Sequence, residues 1–98
     1  MRWGTDARIA ECVEACLACA QRCDDAAGRL VGRSEREAVD ALIAGTAIAQ
    51  LVADLLREGA DVDAVLELGI VALERCAELG PTEVTEPCSA AVRCLRAL

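Results

Sequence analysis

An all-α chain, folded as an antiparallel up-down four-helix bundle, is what this sequence predicts, on three observations. Its apolar residues, 55% of 98, are Ala, Val, Leu, Ile and Cys, with Trp3 the single aromatic residue and no Phe or Tyr. That palette suits helices and is poor in what sheets prefer. Apolar positions recur at three- and four-residue spacing in four stretches, and Gly or Pro separates several of them. The length fits one domain over 1–98.

The first helix is predicted over about 5–31, with Thr5 or Asp6 able to cap its start and Gly32 placed to end it. Its inward stripe reads Ile9, Cys12, Cys16, Cys19, Cys23, Ala26 and Leu30, while Glu14, Arg22 and Asp25 fall elsewhere. Ser34 and Glu37 form a capping-box pattern that opens a second helix over about 35–58, closed by Gly59. Val39, Leu42, Thr46, Ala49, Ala53 and Leu56 make its core stripe. Ile43, Ile48, Leu51, Val52 and Leu55 widen the apolar face so far that burial on two sides is expected, in a bundle or an oligomer.

A third helix over about 62–79 follows Asp61, aligns Val62, Leu66, Gly69, Leu73 and Cys76, and stops at Gly80-Pro81. The fourth is expected over about 85–97. Pro87 is tolerated in a first turn, so the start is set between Glu83 and Glu86. Val84, Cys88, Ala91, Leu95 and Leu98 form its stripe, and Cys94 falls to one flank. Connections this short put successive helices antiparallel.

The net charge of −7 argues against nucleic acid and against an anionic membrane, both of which call for a basic surface. It also keeps a very apolar chain soluble. Met1 to Glu11 lacks the apolar core of a signal peptide, and no uninterrupted apolar run approaches a membrane span, so a cytoplasmic protein is expected. In that compartment seven cysteines stay reduced, and an odd count does not suggest a complete disulfide framework. Soft-metal binding or redox work is left.

At 100° per residue, Cys12, Cys16, Cys19 and Cys23 fall within an arc of roughly 60° on one helix face. A rise of ~1.5 Å per residue spreads them over about 16 Å, too far for one ion to take all four. The pairs Cys12–Cys16 and Cys19–Cys23 are each one turn apart. Their sulfurs can approach the ~4.6 Å that spans a metal at about 2.3 Å from each. Two thiolates suit Cu(I), a soft ion, whereas tetrahedral zinc needs four converging ligands. Cys76 or Cys88 could complete a site from a facing helix.

A buried Cys also serves as a small hydrophobe, and one or two in a bundle need no other explanation. Four successive core positions filled by Cys, where Ala, Leu and Val are plentiful, are not accounted for by packing. Cys12-x3-Cys16-x2-Cys19 also matches the cysteine string of iron–sulfur enzymes that use S-adenosylmethionine. Those require a large partial barrel and a loop around the cysteines, for which this chain is too short. With no His in the chain, the usual general base and the Cys-His nucleophile are missing, so an enzyme is not expected.

The stretch Cys12-Val-Glu-Ala-Cys16-Leu-Ala-Cys19-Ala-Gln-Arg-Cys23 resembles the opening helix of the cysteine-rich four-helix-bundle copper storage proteins (DUF326). Weaker similarity continues through Thr46-Ala47, Ala53 to Asp61, Glu74-Arg75-Cys76 and Glu86-Pro87-Cys88. The resemblance implies thiols lining the bundle interior, numerous Cu(I) ions and often homotetramers. The chain departs from that pattern at Thr46 and Gln50, at Gly69 and Ala72, at Ala91 and Leu95, and at Pro87 where a His is often found. It therefore reads as a cysteine-depleted member that buffers, stores or hands on copper at lower capacity, as a homo-oligomer whose protein partner is not identifiable. The expected metal ligands are Cys12, Cys16, Cys19 and Cys23, with Cys76 and Cys88 secondary. A metal-independent assembly module and a thiol redox or sulfur-handling protein are the alternatives.

Overall fold

The structure, a computed structural model, describes residues 7–98. Four helices hold most of them: α1 (Ala7–Leu30), α2 (Arg36–Arg57), α3 (Asp63–Leu79) and α4 (Thr82–Arg96). The described residues include no strand. The predicted cap of α1 at Thr5 or Asp6 lies outside them.

Each helix packs against two others, α1 on α2 and α4, and α3 on the same two, so the four close into a bundle. Ile9 and Val13 of α1 share a groove with Leu56 of α2, and Val52 of α2 lies against Gly69 of α3. Arg96 of α4 reaches Glu74 of α3 at 2.6 Å, and Arg29 of α1 pairs with Glu83 of α4. These exposed ion pairs contribute little, about 0–1 kcal/mol each. Cohesion comes from the interior.

That interior is built of small side chains. Leu42, Leu56, Leu73, Leu95, Val52 and Val84 share it with six fully buried cysteines and a set of alanines. The predicted stripe of α1 is buried from Ile9 to Ala26, with Leu30 half-buried. On α2 the wide apolar face divides: Leu42, Ala49, Val52, Ala53 and Leu56 are buried, whereas Ile43 and Leu51 remain 55% and 45% exposed. One bundle cannot cover both sides of that helix.

Helix ends follow the expected glycines and depart from two other expectations. Gly32 and Gly59 take φ of 88° and 72°, where a Cβ would be strained. After α2 the Ala60 amide donates to the Leu55 carbonyl and the Gly59 amide to Leu56, a Schellman closure. Ser34 does not form the predicted capping box. The cap of α2 falls one residue later, at Glu35, with no side-chain bond, so Ser34 is out of register to reach the Glu37 amide. Gly80 ends α3 in extended backbone, φ −80° and ψ 173°, the conformation a following proline imposes.

The start set for the fourth helix is also corrected. α4 begins at Thr82, three residues ahead of the predicted 85, and holds Pro87 inside its second turn. The proline forfeits one backbone bond, to the carbonyl of Glu83. Glu83 is exposed, so water can satisfy that carbonyl. Starting at Thr82 buries Val84, which offsets the loss.

Gly45 marks the closest helix approach. A Cβ built on it would collide with the Cys76 sulfur and lie 3.7 Å from Leu73, so α2 and α3 meet at a residue with no side chain. Gly45→Ala is expected to lower stability in urea unfolding by about 1–3 kcal/mol through overpacking. The same exchange at Gly28, which has open space around it, should raise stability by up to ~1 kcal/mol through helix propensity. In a Cys76→Ala background Gly45→Ala should cost markedly less than in the native chain.

Candidate metal centre

α1 delivers its thiols inward because three- and four-residue spacing keeps them on one face. Cys12 is 1% exposed and Cys16, Cys19 and Cys23 are 0% exposed. α4 sets Cys88 opposite the C-terminal half of that row. Its sulfur lies 3.1 Å from Cys19 Sγ and 3.6 Å from Cys23 Sγ, and the last two are 4.0 Å apart. The three sulfurs form a compact triangle, all within 4.8 Å of one another.

Cys76, from α3, adjoins this triangle. Its thiol is influenced by Cys23 and Cys88, yet it donates at 2.9 Å to the Ala41 carbonyl on α2. Gly45 makes the space its sulfur occupies. Thr46, on the same turn of α2, turns its hydroxyl back to the Leu42 carbonyl at 2.8 Å. The sequence carries a local sign of this contact in Gly45. A lone glycine inside a strongly apolar helix marks close packing.

The remaining thiols gather at another level of the α1–α4 seam. Cys94 is half-buried and packs against the core, and it stands beside Cys12 and Cys16. The predicted ligands therefore divide into Cys19, Cys23, Cys88 and Cys76 on one side, and Cys12 and Cys16 on the other. Cys94, set aside as a flank residue, belongs with the second group. Its flank faces α1, which only the packing of the bundle reveals.

All seven cysteines are free thiols. The buried N and O atoms of the described side chains all have hydrogen-bond partners, so sulfur supplies the interior's reactive chemistry. Burial pushes the Cys12 and Cys16 thiols up to about 12, and the neighbouring Cys94 adds to the shift in both. Cys76 is also pushed up to about 12, first by its hydrogen bond with Cys23, and Cys88 opposes this. Cys19 is raised further, first by its hydrogen bond with Cys23, which the bond with Cys88 opposes, and Cys88 is raised further, first by its hydrogen bond with Cys19, which the bond with Cys23 opposes. Without a metal these groups are neutral thiols.

That has a consequence for stability. A thiol that stays protonated in the fold while the unfolded chain ionises stabilises the fold fully below its unfolded value. The contribution of Cys12, Cys16 and Cys76 is lost as pH rises from 9.0 towards about 12. In urea titrations the reduced, metal-free protein should lose stability above pH 9.0, with each such thiol adding about 1.4 kcal/mol per pH unit to the slope. Cys16→Ala should make the dependence shallower by about that amount.

The chain matches no protein-family profile, no curated protein and no solved structure.

Proposed function

We propose that this protein is a cytosolic Cu(I)-binding four-helix bundle of up-down topology, a cysteine-depleted relative of the copper storage proteins that buffers, stores or hands on the ion without catalysing a reaction. The observation that carries this reading is the sulfur triangle of Cys19, Cys23 and Cys88. Three thiolates about 2.3 Å from a central metal stand about 4.0 Å apart, and a linear pair needs ~4.6 Å. The observed edges of 3.1, 3.6 and 4.0 Å fit the three-coordinate arrangement better than the two-coordinate pairs read from helix spacing alone.

The choice of Cu(I) over zinc rests on the fourth ligand. Tetrahedral zinc at about 2.3 Å from each sulfur requires four sulfurs with edges of roughly 3.8 Å. Cys76 is not among the sulfurs that all lie within 4.8 Å of one another, and its thiol is engaged with Ala41. No His is available to replace it. A soft, low-coordinate ion suits three thiolates in a dry pocket. Free thiols agree with a reducing compartment.

The up-down arrangement is supported by short connections and by contacts in opposite chain order. Early α1 meets late α4 at Cys12 and Cys94, and late α1 meets early α4 at Arg29 and Glu83. The redox alternative is disfavoured because a reactive cysteine needs a depressed pKa. Arg22, the candidate activator, is exposed, and Cys19 is governed by Cys23, Cys88 and burial, with a net upward shift.

One further observation favours homo-oligomerisation. Ile43, Leu51, Leu68 and Val71 are 45–63% exposed on α2 and α3, around a 370 Å³ groove lined by Ala44, Ala47, Ile48, Leu51, Leu68 and Ala72. By length and composition α2 could cross a membrane, but it packs on α1 and α3, and its uncovered side is this face. A second copy is the proposed cover.

Titration of the reduced protein with Cu(I) against a competing chelator tests the main reading. Binding should release about three protons per ion at the triangle, because neutral thiols must ionise. Apparent affinity should then rise about 1,000-fold per pH unit for a three-thiol site. Cys88→Ser should weaken it by more than the roughly 10–100-fold that loss of an outer-shell partner costs. Absence of tight binding, or indifference to Cys88→Ser, would sink the proposal. Sedimentation of Leu51→Glu and Leu68→Glu variants should show smaller species than the native chain.

A further inference from the structure

The triangle raises a problem of access. Cys19, Cys23 and Cys88 are all 0% exposed, so no ion carrier can touch them in the closed fold. The α1–α4 seam offers a route. A surface pocket of about 180 Å³ is lined by Arg8, Glu11, Cys12, Arg93, Cys94 and Ala97. It brings a thiol from each helix to one opening, and Cys94 is the only half-buried cysteine of the seven. Directly inward along α1 come Cys16 and then Cys19, about 6 Å and 4.5 Å further on by helix rise.

We propose that Cys12 and Cys94 form a second, solvent-reachable Cu(I) site, and that it is the port through which the ion passes by way of Cys16 to the enclosed triangle. The inference rests on the Cu(I) reading above and adds a residue and a route to it. Cys12, Cys16 and Cys94 do not all converge within 4.8 Å. The port therefore takes the ion two sulfurs at a time, which suits a soft ion tolerant of low coordination.

Exchange at the port needs no oxidant or reductant. A carrier complex of Cu(I) with two low-molecular-weight thiolates meets Cys94, the half-buried thiol, whose sulfur bonds to the metal as one carrier sulfur leaves with the Cys94 proton. Cys12, just inside the pocket, displaces the second in the same way. One bis-thiolate anion and two protein thiols become one protein-bound bis-thiolate anion and two free carrier thiols. Charge, protons and the copper oxidation state balance. Cys16, within reach of the Cys94 sulfur's influence, then competes for the ion from the inner side. Each step inward replaces one thiolate by another, and at the triangle three thiols ionise: two of their protons return to the vacated outer thiolates and the third passes to water.

The position of the two groups explains a division of labour. A buried thiol triangle holds an ion tightly but exchanges it slowly, because every ligand is shielded from competing thiols. A pair in which one partner, Cys94, is half-buried at a surface pocket exchanges more readily and holds less tightly. Cys94 has no place in the core stripe of α4, and a role at the port accounts for a thiol on that flank.

The test uses the full reduced chain and Cu(I) supplied as its complex with dithiothreitol. The wild-type protein should take up about two ions, and Cys94→Ser and Cys88→Ser about one each, with uptake at the triangle slower in Cys94→Ser than in wild type. In the wild-type protein, Cu(I) loading should protect Cys94 from iodoacetamide, read by mass spectrometry, which needs no variant to fold. Circular dichroism checks that Cys94→Ser keeps its helices. Unchanged stoichiometry and rate in Cys94→Ser, or alkylation of Cys94 at the same rate with and without Cu(I), would overturn the port while leaving the triangle in place. Failure of the wild-type chain to bind any Cu(I) would overturn the triangle and the port together.

Discussion

Everything in this bundle depends on filling a dry helical interior with sulfur. Six of its seven thiols are fully buried, in a core whose other apolar side chains, among the described residues, are Leu, Val, Ile and Ala. Small side chains give each helix pair little bulk to keep it apart, so the helices approach closely. The meeting of Gly45 with the Cys76 sulfur is the extreme case. A chain of this size has limited apolar area to bury, and a core of small residues gains most from dense packing. The thiols are thus, first of all, part of the packed core.

The same burial sets their chemistry. A thiol surrounded by apolar side chains and other thiols resists ionisation, and the upward shifts at Cys12, Cys16, Cys19, Cys76 and Cys88 follow from that. A metal ion changes the balance, because its charge stabilises the thiolates that the empty pocket disfavours. Binding at Cys19, Cys23 and Cys88 would accordingly be coupled to proton release and to the stability of the fold, as is general for ligands that must ionise to coordinate. High thiol pKa values are compatible with a protein that carries a soft ion and poorly suited to nucleophilic attack.

The two faces of α2 show how one sequence feature can have two structural uses. Leu42, Ala49, Val52, Ala53 and Leu56 seal the core, whereas Ile43 and Leu51 stand on the outside beside Leu68 and Val71. An apolar stripe wider than one bundle can cover leaves contiguous exposed surface, and such surfaces on soluble proteins usually mark interaction sites. The Cys19–Cys23–Cys88 triangle and the Cys12–Cys94 pair lie where α1 meets α4, apart from this face. Assembly and metal exchange would thus use separate surfaces.

The helix count, the inward stripes and the placement of Cys12, Cys16, Cys19 and Cys23 on one buried face were determined by the sequence itself, because helical periodicity is a local property. The glycine stops at Gly32 and Gly59 were equally local, since a positive φ favours one residue. The start of α4 was not. A proline penalty argues for a short helix, and only the burial of Val84 against its neighbours carries the helix back to Thr82. Which thiols meet was likewise a tertiary decision. Spacing along α1 pairs Cys19 with Cys23, but the rotation and height of α4 bring Cys88 between them and turn Cys94 towards Cys12. Residues 65 to 82 positions apart in sequence come together only when one helix docks on another, and no periodicity within a single helix encodes that contact.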